Sequence, residues 1–248
     1  MSAGSPISIV IRSMDRPSLG RALDSIAAQT TKPMEVIVVA ACGAKHRPLG
    51  PAYESINARL VFPPEGTERL DRPRAANRGL AVAKGEWIGF LDDDDEYLPN
   101  HLETLWSAAA AAHQRRGLDG RLAYSLAQGV DAAGRETDRY GRSFSLVQIW
   151  NNTILHTMNG LFHRSLLTDG CRFDESLDIL EDWDFWIQCA QHTEFAFVEI
   201  VTSKWHGDLG DSGCGFGGNL DTARYAEAQT RIQAKWKFAR DIALKALH

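Results

Sequence analysis

Five adjacent carboxylates, Asp92-Asp93-Asp94-Asp95-Glu96, follow directly on the apolar run Trp87-Ile88-Gly89-Phe90-Leu91. Like charges this close repel one another, so such a run normally sits in a solvated loop. Here a buried strand delivers it to a sheet edge. A hard divalent cation relieves the repulsion, because Mg2+ and Mn2+ favour oxygen ligands. Mg2+ is typically held by one or two carboxylates together with substrate phosphates. An Asp-x-Asp at a strand end is therefore a reasonable anchor for a metal–diphosphate. The competing reading is a solvated acidic turn ahead of the helix after Pro99, where carboxylates suit the helix dipole. A second acidic pair, Glu181-Asp182, heads a helical apolar pattern of Trp183, Phe185, Trp186 and Ile187. Taken alone it reads as an N-terminal charge pair, favourable by about 0.3–1 kcal/mol per charge.

The elements that must position these groups are legible as patterns. Ile7 to Ile11, Val36 to Val39, Arg59 to Phe62 and Trp87 to Leu91 are short apolar runs with strand character. Between them lie a helical stretch opened by Pro17, with Leu19, Leu23, Ile26 and Ala27, and a second from Arg74 to Lys84 with Gly85 as its expected C-cap. Runs that are apolar throughout, alternating with helices, predict a mostly parallel, doubly wound sheet covered on both faces. In that class ligands bind beyond the carboxyl ends of the strands. A long helix is expected after Pro99, a strand over Leu122 to Ala127, a polar hairpin or loop over Asp131 to Arg142, a helix over Ile179 to Ala190 and a strand over Phe195 to Ile200. Leu209 to Gly218 is glycine-rich and reads as mobile, and Asp221 to His248 as a basic amphipathic helix. No repeat, linker or composition shift marks a boundary. The expected organisation is one domain over 1–220 with the helix 221–248 packed on it.

Four segments, in order, carry a family resemblance. GEWIGFLDDDDEYLPNHLETL (85–105) resembles the Asp-x-Asp region of family 2 glycosyltransferases, which have the nucleotide-sugar-binding GT-A fold. ISIVIRSMDRPSLGRALDSIAAQ (7–29), RPRAANRGLAVAKGE (72–86) and CRFDESLDILEDWDFWIQCA (171–190) resemble that family's first strand and helix, its Arg/Asn-Gly helix and its Glu-Asp-x-Asp-x-Trp segment. Each motif alone is moderate; four in the right order are strong.

The resemblance implies a Rossmann-like α/β fold of the GT-A type and an inverting transfer from a nucleotide-diphosphate sugar to a glycan or lipid-linked acceptor, in surface polysaccharide biosynthesis. It implies a divalent cation, Mn2+ or Mg2+, bridging motif and diphosphate, with Asp94 first, Asp92 next and His206 completing the shell. Imidazole suits Mn2+ better than Mg2+. Asp182 takes the role of general base and Glu181 positions it or meets the acceptor. Arg72, Arg74 and Asn77 fall near the diphosphate or nucleoside, and Asp92 or Asp93 near the ribose. One departure is plain: after the second strand the family shows an Asp-Asp-Gly-Ser-like turn, where this chain reads Ala40-Ala41-Cys42-Gly43. Base recognition then shifts to Arg12, Ser13 and Asp15. The segment Asp208 to Gly218 resembles a lid that closes over donor and excludes water.

Composition narrows the alternatives. The chain has 248 residues, 44% hydrophobic and 24% charged, with a net charge of −5. That apolar content excludes a disordered chain, and the acidic balance argues against a nucleic-acid partner. No run reaches the roughly 18–20 apolar residues of a spanning helix, and the first ten residues lack the Lys or Arg of a secretory signal. The four cysteines, Cys42, Cys171, Cys189 and Cys214, show no CxxC spacing, which points to a reducing cytoplasm rather than a disulfide or zinc framework. The basic last helix admits a peripheral contact at the inner membrane face or a homodimer, with packing on its own domain ahead of both. A phosphohydrolase would carry its Asp-x-Asp after the first strand, and a nucleotidyltransferase a glycine-rich basic loop there; neither is present. A catalytically weak sugar-nucleotide-binding pseudoenzyme or interaction module is the alternative that the missing acidic turn keeps open.

Overall fold

The computed structural model describes residues 5–209, 214, 215 and 220–245. The first half follows the expected alternation. Strand β1 (Ile7–Ser13) is buried along its whole length, and helix α1 (Leu19–Ala27) returns over it with Leu19, Ala22, Leu23 and Ile26 inward. These are the i, i+3, i+4 positions of one helical face. Strands β2 (Glu35–Ala40) and β3 (Ala58–Val61) extend the sheet, and helix α2 (Arg72–Val82) leads into β4 (Trp87–Asp92). Asp71 caps α2, its carboxylate accepting the Arg74 N–H at 3.0 Å. Gly79 lets α2 approach β1 closely, since a Cβ there would lie 2.2 Å from Val10 Cγ1.

The expected C-cap at Gly85 is corrected. The helix ends at Val82 and Ala83 is already extended. Gly85 is instead demanded by packing, because a Cβ would fall 2.5 Å from the Ser8 nitrogen.

Beyond β4 come the two-residue β5 (Glu96–Tyr97), α3 (His101–Arg116), β6 (Leu122–Val130), β7 (Glu136–Tyr140), α4 (Leu146–Asn151), β8 (Gly160–His163), α5 (Ser165–Thr168), α6 (Glu181–Ala190), β9 (Phe195–Trp205) and α7 (Thr222–Lys245). Among the described residues these strands form one nine-stranded sheet in the order β3-β2-β1-β4-β8-β6-β9-β5, with β7 paired to β6 as the expected hairpin. β3, β2, β1 and β4 are parallel, as are β6 and β9; β8 runs antiparallel to both β4 and β6. The apolar-run argument could not separate these cases, because a strand covered on both faces reads as continuously apolar in either direction.

Helices cover both faces. Leu19, Leu23, Leu102 and Leu105 of α1 and α3 build one core layer, and Ala75, Leu80, Trp183 and Ile187 of α2 and α6 the other. Helix α7 joins the second layer through Ala228 and Ile232, and Trp236 lies 6.0 Å from Trp150 of α4. No described helix is long and apolar enough to cross a membrane.

Candidate active site

Beyond the carboxyl ends of β1 and β4 opens a cleft of about 560 Å3. Its walls bring together Arg12, Arg72, Asp92, Asp94, Glu181, Asp182 and His206 from distant parts of the chain. Parallel pairing does the first part of this. Arg12 and Asp92 are register partners across β1 and β4, so their side chains leave the sheet side by side.

The five carboxylates after β4 have five different fates. Asp92 is held by the Arg12 fork, Nε to Oδ1 at 2.7 Å and Nη2 to Oδ2 at 2.6 Å. Burial alone would raise its proton affinity, but the Arg12 charge and hydrogen bonds prevail and keep it below the ordinary carboxylate value. Asp93 turns away from the cleft and is wholly buried, accepting from Met14 N–H at 2.7 Å, Ser13 Oγ at 3.1 Å and Arg16 Nη1 at 2.6 Å. Asp95 accepts the His206 N–H at 2.9 Å, and Glu96 lies 3.2 Å from His206 Nε2. Asp94 faces the cleft, with Arg16 Nη1 at 3.9 Å. Its pKa is pushed up to about 7, by burial first and the repulsion of Asp92 next. A carboxylate in that state gains from any cation brought near it.

The second acidic pair reaches the cleft by a strained turn. Leu180 precedes α6 with φ +58°, in the left-handed region that residues other than glycine seldom occupy. That conformation aims the first residues of α6 inward, at a cost of order 1–3 kcal/mol. Glu181 accepts from Arg12 Nη1 at 2.6 Å, with Arg72 Nε at 3.9 Å. Asp182 accepts from Thr157 Oγ1 at 3.1 Å and from the Trp183 N–H at 2.8 Å. Its pKa is pushed up to about 6, by burial and then by Glu181, with Arg12, Thr157 and Arg72 pulling the other way. This is the range of a general base at neutral pH.

Not every expected residue arrives. Ser13, Asp15, Asp93, Arg74 and Asn77 do not line the cleft. Ser13 Oγ is consumed behind it, bonded to Asp93, to the Asp15 N–H at 3.0 Å and to His46 Nε2 at 2.9 Å. Asp15 is turned to Arg47 Nε at 2.9 Å. Arg74 pairs with Asp71 and Glu175 on a neighbouring hollow. Asn77 holds the Phe173 backbone, donating at 2.9 Å and accepting at 3.1 Å. Sequence position put these residues near the right strand ends; the direction of each side chain took them elsewhere. His206 does reach the cleft, with its ring turned on Glu96. The lid expected over 208–218 lies mostly outside the described residues.

Some residues at the cleft carried no motif. Thr157 belongs to a short 3-10 turn, Thr157–Asn159, and holds Asp182. Tyr140, His156 and Trp205 form an aromatic trio lining the cleft, with ring centroids 4.8–4.9 Å apart. Burial holds the His156 imidazole neutral, its pKa lowered to about 4. Tyr140 is an aromatic in an otherwise polar stretch, and His156 borders Met158 to Phe162, which resembles the family segment on the donor-sugar and acceptor side. Where the acidic turn is missing, Ala41 gives the cleft an apolar floor with Met14, Leu70 and Ala75.

Comparison with known proteins bears on this arrangement. Residues 8–170 match the sequence profile of Glycosyl transferase family 2. The chain is 32% identical over 178 residues to the succinoglycan biosynthesis protein ExoO of Rhizobium meliloti, covering 66% of this chain and 49% of that protein. It is 29% identical over 194 residues to the PGL/p-HBAD biosynthesis glycosyltransferase of Mycobacterium bovis, covering 74% and 67%. It is 26% identical over 188 residues to the uncharacterized glycosyltransferase YwdF of Bacillus subtilis, covering 75% and 68%. The fold is similar to S. aureus TarS 1–349 in complex with UDP, at a TM-score of 0.64 and 18% identity, over 92% of this chain and 64% of that one. The chain thus spans about half of ExoO and less than two thirds of that TarS fragment. With its motifs in order on a GT-A sheet, this chain belongs to Glycosyl transferase family 2 and is a glycosyltransferase.

Proposed function

We propose that this chain is an inverting, metal-dependent glycosyltransferase. It moves a sugar from a nucleoside-diphosphate sugar to a hydroxyl of a glycan or lipid-linked acceptor in polysaccharide or glycolipid synthesis. The observation that carries this reading is that Asp94 and Asp182, 88 positions apart in the chain, face one cleft. A crystal form of TarS holds UDP and another UDP-GlcNAc, which supports a nucleotide-sugar donor. The relatives named for succinoglycan and PGL/p-HBAD biosynthesis support the acceptor class.

The donor set fits a hard cation shared with substrate. Among the described residues no group of three His, Cys, Asp or Glu is placed to hold a metal ion by itself. Asp92 and Asp94 on one cleft supply the one or two carboxylates that Mg2+ takes beside substrate phosphates and water. Asp94 would be the principal ligand, since Asp92 is committed to Arg12; His206 lines the same cleft with its ring on Glu96 and would have to turn from it to join the shell. When bound, the cation stabilises charge on the departing diphosphate as a Lewis acid. Arg72 adds a guanidinium to the same wall. Asp182 takes the proton of the acceptor hydroxyl as that oxygen attacks the sugar carbon opposite the leaving group, and Thr157 holds it in place. The apolar floor of Met14, Ala41 and Leu70 receives the base. The aromatic trio flanks the acceptor. Residues 1–220 and the helix 221–248 act together as one unit.

A melting-temperature panel of nucleoside diphosphates and nucleotide sugars, with and without Mn2+, tests this. Binding to the native state raises the melting point. At least one nucleoside diphosphate should give a Mn2+-dependent rise, and Asp94→Ala should abolish it. Asp182→Asn should keep the rise and lose transfer by at least about 100-fold. Binding without transfer in the wild type would favour the pseudoenzyme reading instead.

A further inference from the structure

Arg12 stands on β1 with its side chain 5% exposed. Its fork holds both oxygens of Asp92, and its remaining arm, Nη1, holds Glu181 at 2.6 Å. One guanidinium thereby ties together residues 80 and 169 positions away in sequence. A bidentate pair fixes angle as well as distance. A planar fork with five donors can serve two carboxylates at once, which a point-charge ammonium cannot do with the same geometry.

The two tied residues are next to the two working ones. Asp94 is two positions beyond Asp92, in the turn between β4 and β5, with its backbone carbonyl accepting from Arg21 Nη2 at 2.6 Å and the direction of the strand end beneath it set by the Arg12–Asp92 fork. Asp182 follows Glu181 in the first turn of α6, entered through the strained Leu180. We infer that Arg12 is a positioning residue: it locks the strand end bearing Asp94 to the helix end bearing Asp182, and so sets the spacing between diphosphate and base. It acts through Asp92 and Glu181 rather than by reading the donor. The inference rests on the glycosyl-transfer reading above. Misplacement by about 1 Å between reacting groups can cost about 100-fold in rate, so a rigid tie here has a kinetic consequence without a donor contact.

The test uses the full chain, wild type beside Arg12→Lys, Glu181→Gln and the double variant. UDP, GDP and dTDP with Mn2+ are the binding probes, and their glucose conjugates are the turnover probes, read as nucleoside diphosphate released. Arg12→Lys should keep nucleotide affinity within about threefold and lose turnover by about 100-fold. Metal-free melting points of the two single variants should combine sub-additively in the double, because both break one contact. Affinity lost in step with turnover would make Arg12 a donor contact and overturn the inference. Wild-type turnover in Arg12→Lys, or additive melting losses, would overturn it too. If Arg12→Lys does not fold, Glu181→Gln decides, read across its full pH–rate profile: retained affinity with the plateau turnover about 100-fold down supports the tie, and a plateau undiminished, with only the acid limb moved, sinks it. A wild type that binds none of the three nucleotides overturns the glycosyl-transfer reading, and the inference falls with it.

Discussion

A carboxylate takes a proton from an alcohol most effectively at neutral pH when its own proton affinity is raised but not saturating. Asp182 meets that condition through burial and the neighbouring Glu181, which lift its pKa to about 6. On the proposed mechanism the ionised form is the active one, so activity rises with pH through that value. Between pH 5 and 7 kcat/KM should increase roughly tenfold on the acid limb, as measured from the pH–rate profile. Thr157 donates to the charged form at 3.1 Å, and hydrogen bonds to an anion lower its pKa. Thr157→Val should therefore move the acid limb upward by several tenths of a pH unit or more. A limb that stays in place in Thr157→Val would remove Asp182 as the titrating base.

The helices matter by what they hold. The motif Glu181-Asp182-Trp183-Asp184 resembles a block of catalytic acids, yet Asp184 lies on the opposite side of α6 and is wholly buried. It accepts from Trp236 Nε1 at 2.7 Å and from Lys235 Nζ at 2.9 Å, both on α7. Lys235 also reaches Asp174 at 2.7 Å, whose pKa it helps hold at about 2. Helix α7 thus clamps the segment that presents the base, and several of its basic residues face their own domain. Arg224 pairs with Asp178 at 2.8 Å. Hydrogen bonds to a charged group contribute about 1.5–3 kcal/mol each. Trp236→Phe should destabilise the fold by about 2 kcal/mol, measured by denaturant unfolding, and lower kcat more than it raises the nucleotide Kd. An unchanged midpoint would mean that the clamp carries no load.

At the scale of the whole molecule, net charge is −5, and Asp92, Asp94, Asp95, Glu181 and Asp182 are gathered at one cleft. The free protein holds that cluster at a cost. Asp94 has a folded pKa of about 7 against an ordinary 3.8. Its folded pKa is raised, so its contribution is fully present below about pH 4 and is lost as pH rises through about 7. Metal-free Asp94→Asn should therefore melt roughly 2–8 °C above wild type at pH 8, and the difference should vanish near pH 4. A lower melting point for Asp94→Asn at pH 8 would contradict the electrostatic account. The apolar pattern was enough to predict a sheet-forming α/β chain, and the family resemblance was needed to make Glu181-Asp182, beside Asp92–Asp94, a candidate site. Strand and helix patterns depend on local spacing of apolar groups, which a sequence displays directly. What the chain alone could not display was side-chain direction. Adjacent residues on one turn point to different places, so Asp93 is buried while Asp94 opens to the cleft, and Asp184 anchors a helix while Asp182 lines the cleft. Contacts such as Arg12 to Glu181 or Thr157 to Asp182 join segments far apart in sequence. Their formation is decided by how sheet and helices pack, and only the tertiary structure records that.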